Sequence, residues 1–136
     1  MSSAMQVLQV KTSSHNEFVD ITGLVQAAAT KGGIDDGACL VYVPHTTAGV
    51  TINENADPSV RKDILMMLDK IVPETAGYTH AEGNSPGHVK SSLVGCSAFV
   101  PVKGGRLALG TWQGIYFCEF DGPRSRQVWV TLLRSK

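Results

Sequence analysis

The 136-residue chain predicts an α+β fold with mostly antiparallel strand pairing, and three observations point to it. Short apolar or alternating runs of strand length occupy both ends of the sequence. A central segment carries both the start and the stop signals of a helix. The element order, β, β, α, β, β, α, α and then several β, lacks the regular strand–helix alternation of a parallel sheet.

Taken in order, Gln6 to Thr12 alternates polar and apolar residues, with Val7 and Val10 requiring a local irregularity. Glu17 to Ile21 follows a Ser-Ser-His-Asn turn, and the pair reads as an N-terminal hairpin. Thr22 is placed to cap a short alanine-rich helix over Gly23 to Lys31, closed by Gly32-Gly33. Ala38 to Val43 is a dense apolar strand, and Gly49 to Asn53 reads as its partner or continuation. The next helix begins with Asp57 as cap and Pro58 at the first helical position. Val60, Ile64, Leu65, Met67, Leu68 and Ile71 mark its apolar face, and Pro73 ends it. Ser85-Pro86 repeats the cap-plus-proline signature, with Gly95 as a C-terminal stop. Strands at Ser97–Val102, Arg106–Thr111, Ile115–Phe120 and Gln127–Leu133 close the chain.

This length suits one domain spanning 1–136, and a composition of 43% hydrophobic and 18% charged residues is that of a soluble globular protein. Twelve basic residues balance twelve acidic ones, so no overall field favours nucleic acid or an anionic membrane. No run approaches the ~18 apolar residues needed to cross a bilayer. The N-terminus lacks the features of a secretory signal, and the internal Met5 marks the first four residues as an extension. Cys39, Cys96 and Cys118 each lie in an apolar run, as buried reduced thiols of a cytoplasmic protein would.

The chemistry concentrates in two segments. His45-Thr-Thr-Ala-Gly-Val-Thr-Ile-Asn-Glu-Asn-Ala-Asp57-Pro58 places a histidine, hydroxyls, amides and carboxylates between a strand and a helix. The second segment holds His80, Glu82, Asn84, Ser85 and His88. If Ser85 caps its helix, His88 lies in the first turn, where the positive dipole end keeps an imidazole neutral, as a ligand or general base. Lys90 adds charge for a phosphate, or is a solvated helix lysine. His45, His80 and His88 would suit zinc or a similar divalent ion only if the fold gathers them, since their spacing is not locally chelating. Glu54, Glu82 and Glu119 are the acids placed to orient such a cluster. Gln113, Ile115, Phe117 and Glu119 share one strand face, where buried polar groups must find partners. Asp121-Gly-Pro-Arg124 reads as a turn with an internal ion pair; alternatively Arg124 and Arg126 clamp a phosphate. Trp129 and Tyr116 are candidate contact or packing residues.

HTTAGVTINENADPSVRKDIL, YTHAEGNSPGHVKSSLVG and GRLALGTWQGIYFCEFDGPRSRQVWV together resemble the YjbQ family, also described as secondary thiamine-phosphate synthase enzymes. The resemblance covers nearly the whole chain. It implies a β-sandwich-like core with two to three helices, and a homotrimer whose sites lie near subunit contacts. It carries His45, Asn53, Glu54, Asn55, Asp57, His80, Asn84, His88, Lys90, Gln113, Glu119 and Arg124 as positions matching the family's polar motifs. Catalysis is expected from His45, His88 and Glu119, and substrate binding from Asn53, Asn55, Asn84, Lys90, Gln113 and Arg124. The implied reaction joins a pyrimidine methyl pyrophosphate to a thiazole phosphate and expels pyrophosphate, so the expected ligand is a small phosphorylated metabolite. A divalent ion, or a clamp of His88, Lys90 and Arg124, would hold the leaving group. The alternative is a non-catalytic trimer binding a metal or an anion. Ala81 follows His80 where relatives are expected to carry an acid, leaving Glu82 as its substitute.

Overall fold

Strands β1 (Gln6–Lys11), β2 (Glu17–Asp20), β3 (Gly37–Tyr42), β4 (Ala48–Glu54), β5 (Ser97–Lys103), β6 (Arg106–Leu107), β7 (Gln113–Glu119) and β8 (Ser125–Arg134) form two antiparallel sheets. Helices α1 (Thr22–Lys31), α2 (Pro58–Ile71) and α3 (Ser85–Val94) complete the chain. The structure is a computed structural model describing residues 5–135; the expected extension at residues 1–4 lies outside them. The large sheet has the order β1-β8-β3-β5-β6 and the small one β2-β7-β4. Strand parity sets the layers: Cys39, Val41, Val100, Val128 and Val130 of the large sheet meet Val50, Ile115 and Phe117 of the small one. Each such fully buried aliphatic side chain stabilises by roughly 1.5–3 kcal/mol. Helix α1 touches β7 as well as β6 and β8, and its Val25, Ala28 and Ala29 complete this core.

The small sheet is covered on its other face too. Phe18, Tyr116, Cys118 and Phe120 form a second cluster under Ile64, Leu65 and Leu68 of α2 and Val94 of α3. That is why β7 is buried at every position from Gly114 to Glu119. Helix α2 begins where its sequence predicts: the Asp57 carboxylate accepts from the Ser59 N–H at 2.9 Å, and Pro58 opens the helix.

Strand pairing departs from the expected hairpins. β1 pairs with β8 and β2 with β7, so the N-terminal pair splits between sheets, and β3 and β4 are likewise separated. At the first split the Thr12 N–H reaches the Arg124 carbonyl, while the N–H groups of Ser13 and Ser14 go to the Glu17 carboxylate. These local bonds release the turn from cross-strand pairing, and each strand buries its apolar face in a different layer. The strand expected over 106–111 ends at Leu107, whose N–H goes to the Gln26 side chain. Two caps also shift. Thr22 is the first helical residue, its hydroxyl donating to Asp20, and Ser85 is the first residue of α3 after Asn84. Cys39 and Cys118 are buried as expected, but Cys96 is exposed in the bend just before β5.

Candidate functional site

At one end of the sandwich, three connections converge: residues 43–47 after β3, the start of α3, and the turn 121–124 before β8. Helix α3 lies close over this end because Gly87 has no side chain; a Cβ there would stand 2.9 Å from the Phe120 carbonyl oxygen and 3.3 Å from the Thr47 side chain. The convergence leaves a cavity of about 730 Å³. His45, Thr47, Asn84, His88, Arg124 and Arg126 line it, with Glu82 and Asp121 as its carboxylates.

Arg126 is the centre of the floor. Its inward parity on β8 sends the guanidinium into the end of the interlayer core, where it is 4% exposed. There it pairs with Glu119, which is fully buried on the facing layer. Arg126 Nε donates to Glu119 Oε1 at 2.8 Å, and Nη2 donates to Glu119 Oε2 and to Thr47 Oγ1 at 2.9 Å. Nη1 is left without a hydrogen-bond partner among the described residues. The Thr12 hydroxyl and the Asp121 N–H complete the Glu119 shell. Burial alone would raise the Glu119 pKa, but the Arg126, Asp121 and Thr12 hydrogen bonds outweigh it and hold the carboxyl below its ordinary value. Glu119, expected to be catalytic, thus lies behind Arg126 and sets its orientation.

His45 stands over the inner core, its ring edge-on to Phe117. Its Nε2 accepts the Gln127 N–H at 2.9 Å, so the proton of the neutral ring sits on Nδ1. Burial, then the Arg126 charge, depresses its pKa, with Glu119 opposing. His45 is therefore a neutral hydrogen-bond donor. Asn84 donates to Asp121 Oδ2 at 3.0 Å, which fixes its amide and leaves Oδ1 buried with no partner. Arg124 Nη2 donates to the same Asp121 oxygen at 3.1 Å.

His80 and His88 meet edge to face, with ring centroids 5.1 Å apart. His88 lines the cavity, while His80 stands beyond it, next to Glu82 at 3.1 Å from its Nε2. Glu82 therefore supplies the carboxylate that Ala81 cannot. The ring nitrogens of His88 have no hydrogen-bond partner among the described residues. The three imidazoles expected to share a divalent ion do not present a common ligand set. His45 would have to turn its protonated nitrogen toward the Gln127 N–H to free a lone pair, and among the described residues no three His, Cys, Asp or Glu side chains are disposed to hold a metal ion.

Four expected substrate-binding residues lie elsewhere. Lys90 is 1% exposed and turned toward α2, with its ammonium on Asp69 and the Asn16 side-chain oxygen. Asn53, Asn55 and Gln113 gather at the far end of the small sheet. β4 runs from Ala48 beside the cavity to Glu54, about 20 Å away at a strand rise near 3.3 Å per residue. There Asn53 accepts from the Glu54 N–H, Asn55 donates to Asp20, and Gln113 accepts from the Gly110 N–H. Of the predicted binding set, only Asn84 and Arg124 line the cavity with His45 and His88. Arg126, read in the sequence as an alternative phosphate clamp with Arg124, completes it together with Thr47, which the sequence reading did not single out.

Residues 6–135 match the family described as UPF0047 protein YjbQ-like. The chain is 54% identical to the UPF0047 protein YugU of Bacillus subtilis, over 95% of this chain and 98% of that one. It is 52% identical to a UPF0047 protein of Methanocaldococcus jannaschii, over 94% and 93% of the two. Among solved structures, an uncharacterized conserved YjbQ/UPF0047 family protein of Clostridium acetobutylicum superposes with a TM-score of 0.92 at 53% identity, covering 94% of this chain and 99% of that one. A conserved hypothetical protein of Thermus thermophilus gives 0.88 at 43%, covering 94% and 99%. With these matches along its length, the chain belongs to the YjbQ (UPF0047) family.

Proposed function

We propose that this protein is an enzyme acting on a small phosphorylated metabolite, held in the cavity between β3, α3 and β8. One observation carries the reading: a buried arginine, clamped on two nitrogens by Glu119 and Thr47, keeps its third nitrogen free at the cavity floor. A preorganised guanidinium with a free N–H edge suits an oxyanion such as phosphate. His45 Nδ1–H and Arg124 add donors, and His88, with both ring nitrogens unengaged, is the group to move a proton. Asn84 Oδ1 is a waiting acceptor for a ligand hydroxyl or N–H.

Within this class, the reaction to assay first is thiamine-phosphate synthesis, which the sequence resemblance implies. The divalent ion expected on three imidazoles has no step here, because His45 commits its lone pair to Gln127. We also propose a homotrimer. The outer face of the large sheet exposes Val7, Tyr42, Phe99 and Leu133, an apolar row of the kind that subunit contacts cover. Three free cysteines fit a reducing compartment such as the cytoplasm, and among the described residues no helix is long and apolar enough to cross a membrane.

Calorimetric titration with inorganic phosphate tests the reading. Arg126→Lys keeps the buried charge but loses the fork, so at least about a tenfold loss of affinity is expected. Equal affinity in both proteins contradicts an arginine-held phosphate. Sedimentation equilibrium tests the assembly: a trimer's mass is expected, and a monomer's mass rules it out.

A further inference from the structure

Helix α2 covers the small sheet with one face and leaves the face beside it bare. Arg61 donates to the Phe18 carbonyl at 3.3 Å and Leu68 packs on the cluster beneath, so that flank is turned to the protein's own core. Next to it runs an apolar groove in which Val60, Ile64, Met67 and Ile71 follow at intervals of four, three and four residues. This is the spacing by which one helix seats on another, and among the described residues only α2 itself lines the groove. Met67 is 46% and Ile71 62% exposed. Asp63 and Lys70, both exposed, border the stripe on its outward side. They stand about 10.5 Å apart along the helix axis. Neither has an ion-pair partner among the described residues.

We infer that this face of α2 is a docking surface for a second copy of the chain, the two α2 helices lying antiparallel about a two-fold axis. In that register Val60 meets the partner's Ile71 and Ile64 meets the partner's Met67, each contact occurring twice as the symmetry requires. The charges select the direction. Antiparallel helices bring like flanks together, so Asp63 faces the partner's Lys70 while Lys70 faces the partner's Asp63. A parallel pair would set Asp63 beside the partner's Leu68 and leave all four charges unmatched. The surface is separate from the large-sheet face assigned above to the trimer, so where that trimer forms, α2 pairing joins two of them. One helix pair is a small interface, and its formation depends on concentration.

Sedimentation equilibrium of the full-length chain, from micromolar to millimolar concentration, reads the pairing as a doubling of mass. The wild type is expected to reach twice the mass of Met67→Lys and of Ile71→Lys, two exposed positions whose change leaves the core intact. That ratio holds whether the half-unit is a trimer or a monomer, so the mass of Met67→Lys tests the trimer separately. Asp63→Lys and Lys70→Asp each set like charges across the contact, and each is expected to weaken pairing about tenfold. An equimolar mixture of these two variants restores opposite charges at both places and is expected to recover the wild-type mass. Equal masses for the wild type and Met67→Lys at every concentration overturn the contact. A mixture that pairs no better than its two components overturns the antiparallel register and the contact with it. Binding of the wild type to phosphatidylglycerol–phosphatidylcholine vesicles without any doubling of mass would assign the stripe to a lipid surface, and would also overturn the pairing.

Discussion

The two ends of the sandwich both gather polar side chains and differ in what those side chains have left to bind. At the far end, Asn53, Asn55 and Gln113 commit one half of each amide to a neighbouring N–H, to Asp20 and to the Gly110 N–H, and all three side chains are exposed, so the other half faces solvent. At the cavity end, Arg126 Nη1 and Asn84 Oδ1 have no protein partner among the described residues, and His45 keeps Nδ1–H in hand. A polar motif therefore marks a binding site only where its spare hydrogen-bonding capacity is held inside a cavity, as at the buried Asn84 Oδ1, and not where it faces open solvent. By that measure the far end holds its own turns together, and the cavity end is prepared for a ligand.

Breaking the Glu119–Arg126 pair gives the largest expected effect. Glu119→Ala leaves a buried guanidinium unpaired, and a loss of about 3–5 kcal/mol is expected in urea unfolding. The Glu119 pKa is depressed, so the pair's contribution is complete above the ordinary carboxylate range and fades as pH falls through the folded value. Acid should therefore weaken the wild type and leave Glu119→Ala comparatively insensitive. A wild-type stability that stays flat from pH 6 down to pH 3 would contradict this.

The contrast between the ends sharpens with smaller changes. Asn53→Ala and Gln113→Ala should each cost about 0.5–1.5 kcal/mol of stability, the net worth of one hydrogen bond, while phosphate affinity changes less than about twofold. A tenfold loss of phosphate affinity in either variant would relocate the site. Smallest is the protonation of His45. An NMR pH titration should place its pKa below the usual ~6.5, because burial and Arg126 disfavour the imidazolium, and its neutral form should persist as pH falls through that value. A value above 6.5 would remove the neutral-donor role.

Local signals in the sequence were readable and distant pairings were not. Asp57-Pro58 announced α2 because a cap and its helix lie within a few residues. The β1–β8 pairing joins residues more than a hundred positions apart, and nothing local at Gln6–Lys11 distinguishes that partner from β2. In the site, His45, Asn84, His88 and Arg124 were legible from their place in loops and at a helix start. Glu119 was legible as a polar group on the buried face of β7, but its role depends on the Arg126 opposite, which only the stacking of the two layers reveals. Lys90 misled for a related reason: a charged residue near a helix start reads as a ligand clamp, whereas Asp69 of α2 folds back to neutralise it.

The most direct test of the central claim is residue-resolved NMR during titration with inorganic phosphate. The amide signals of Thr47, Asn84, Arg126 and Gln127 are expected to move together with one affinity while those of Asn53, Asn55 and Gln113 stay in place. Movement confined to the far end of the small sheet, or none at saturating phosphate, would contradict it.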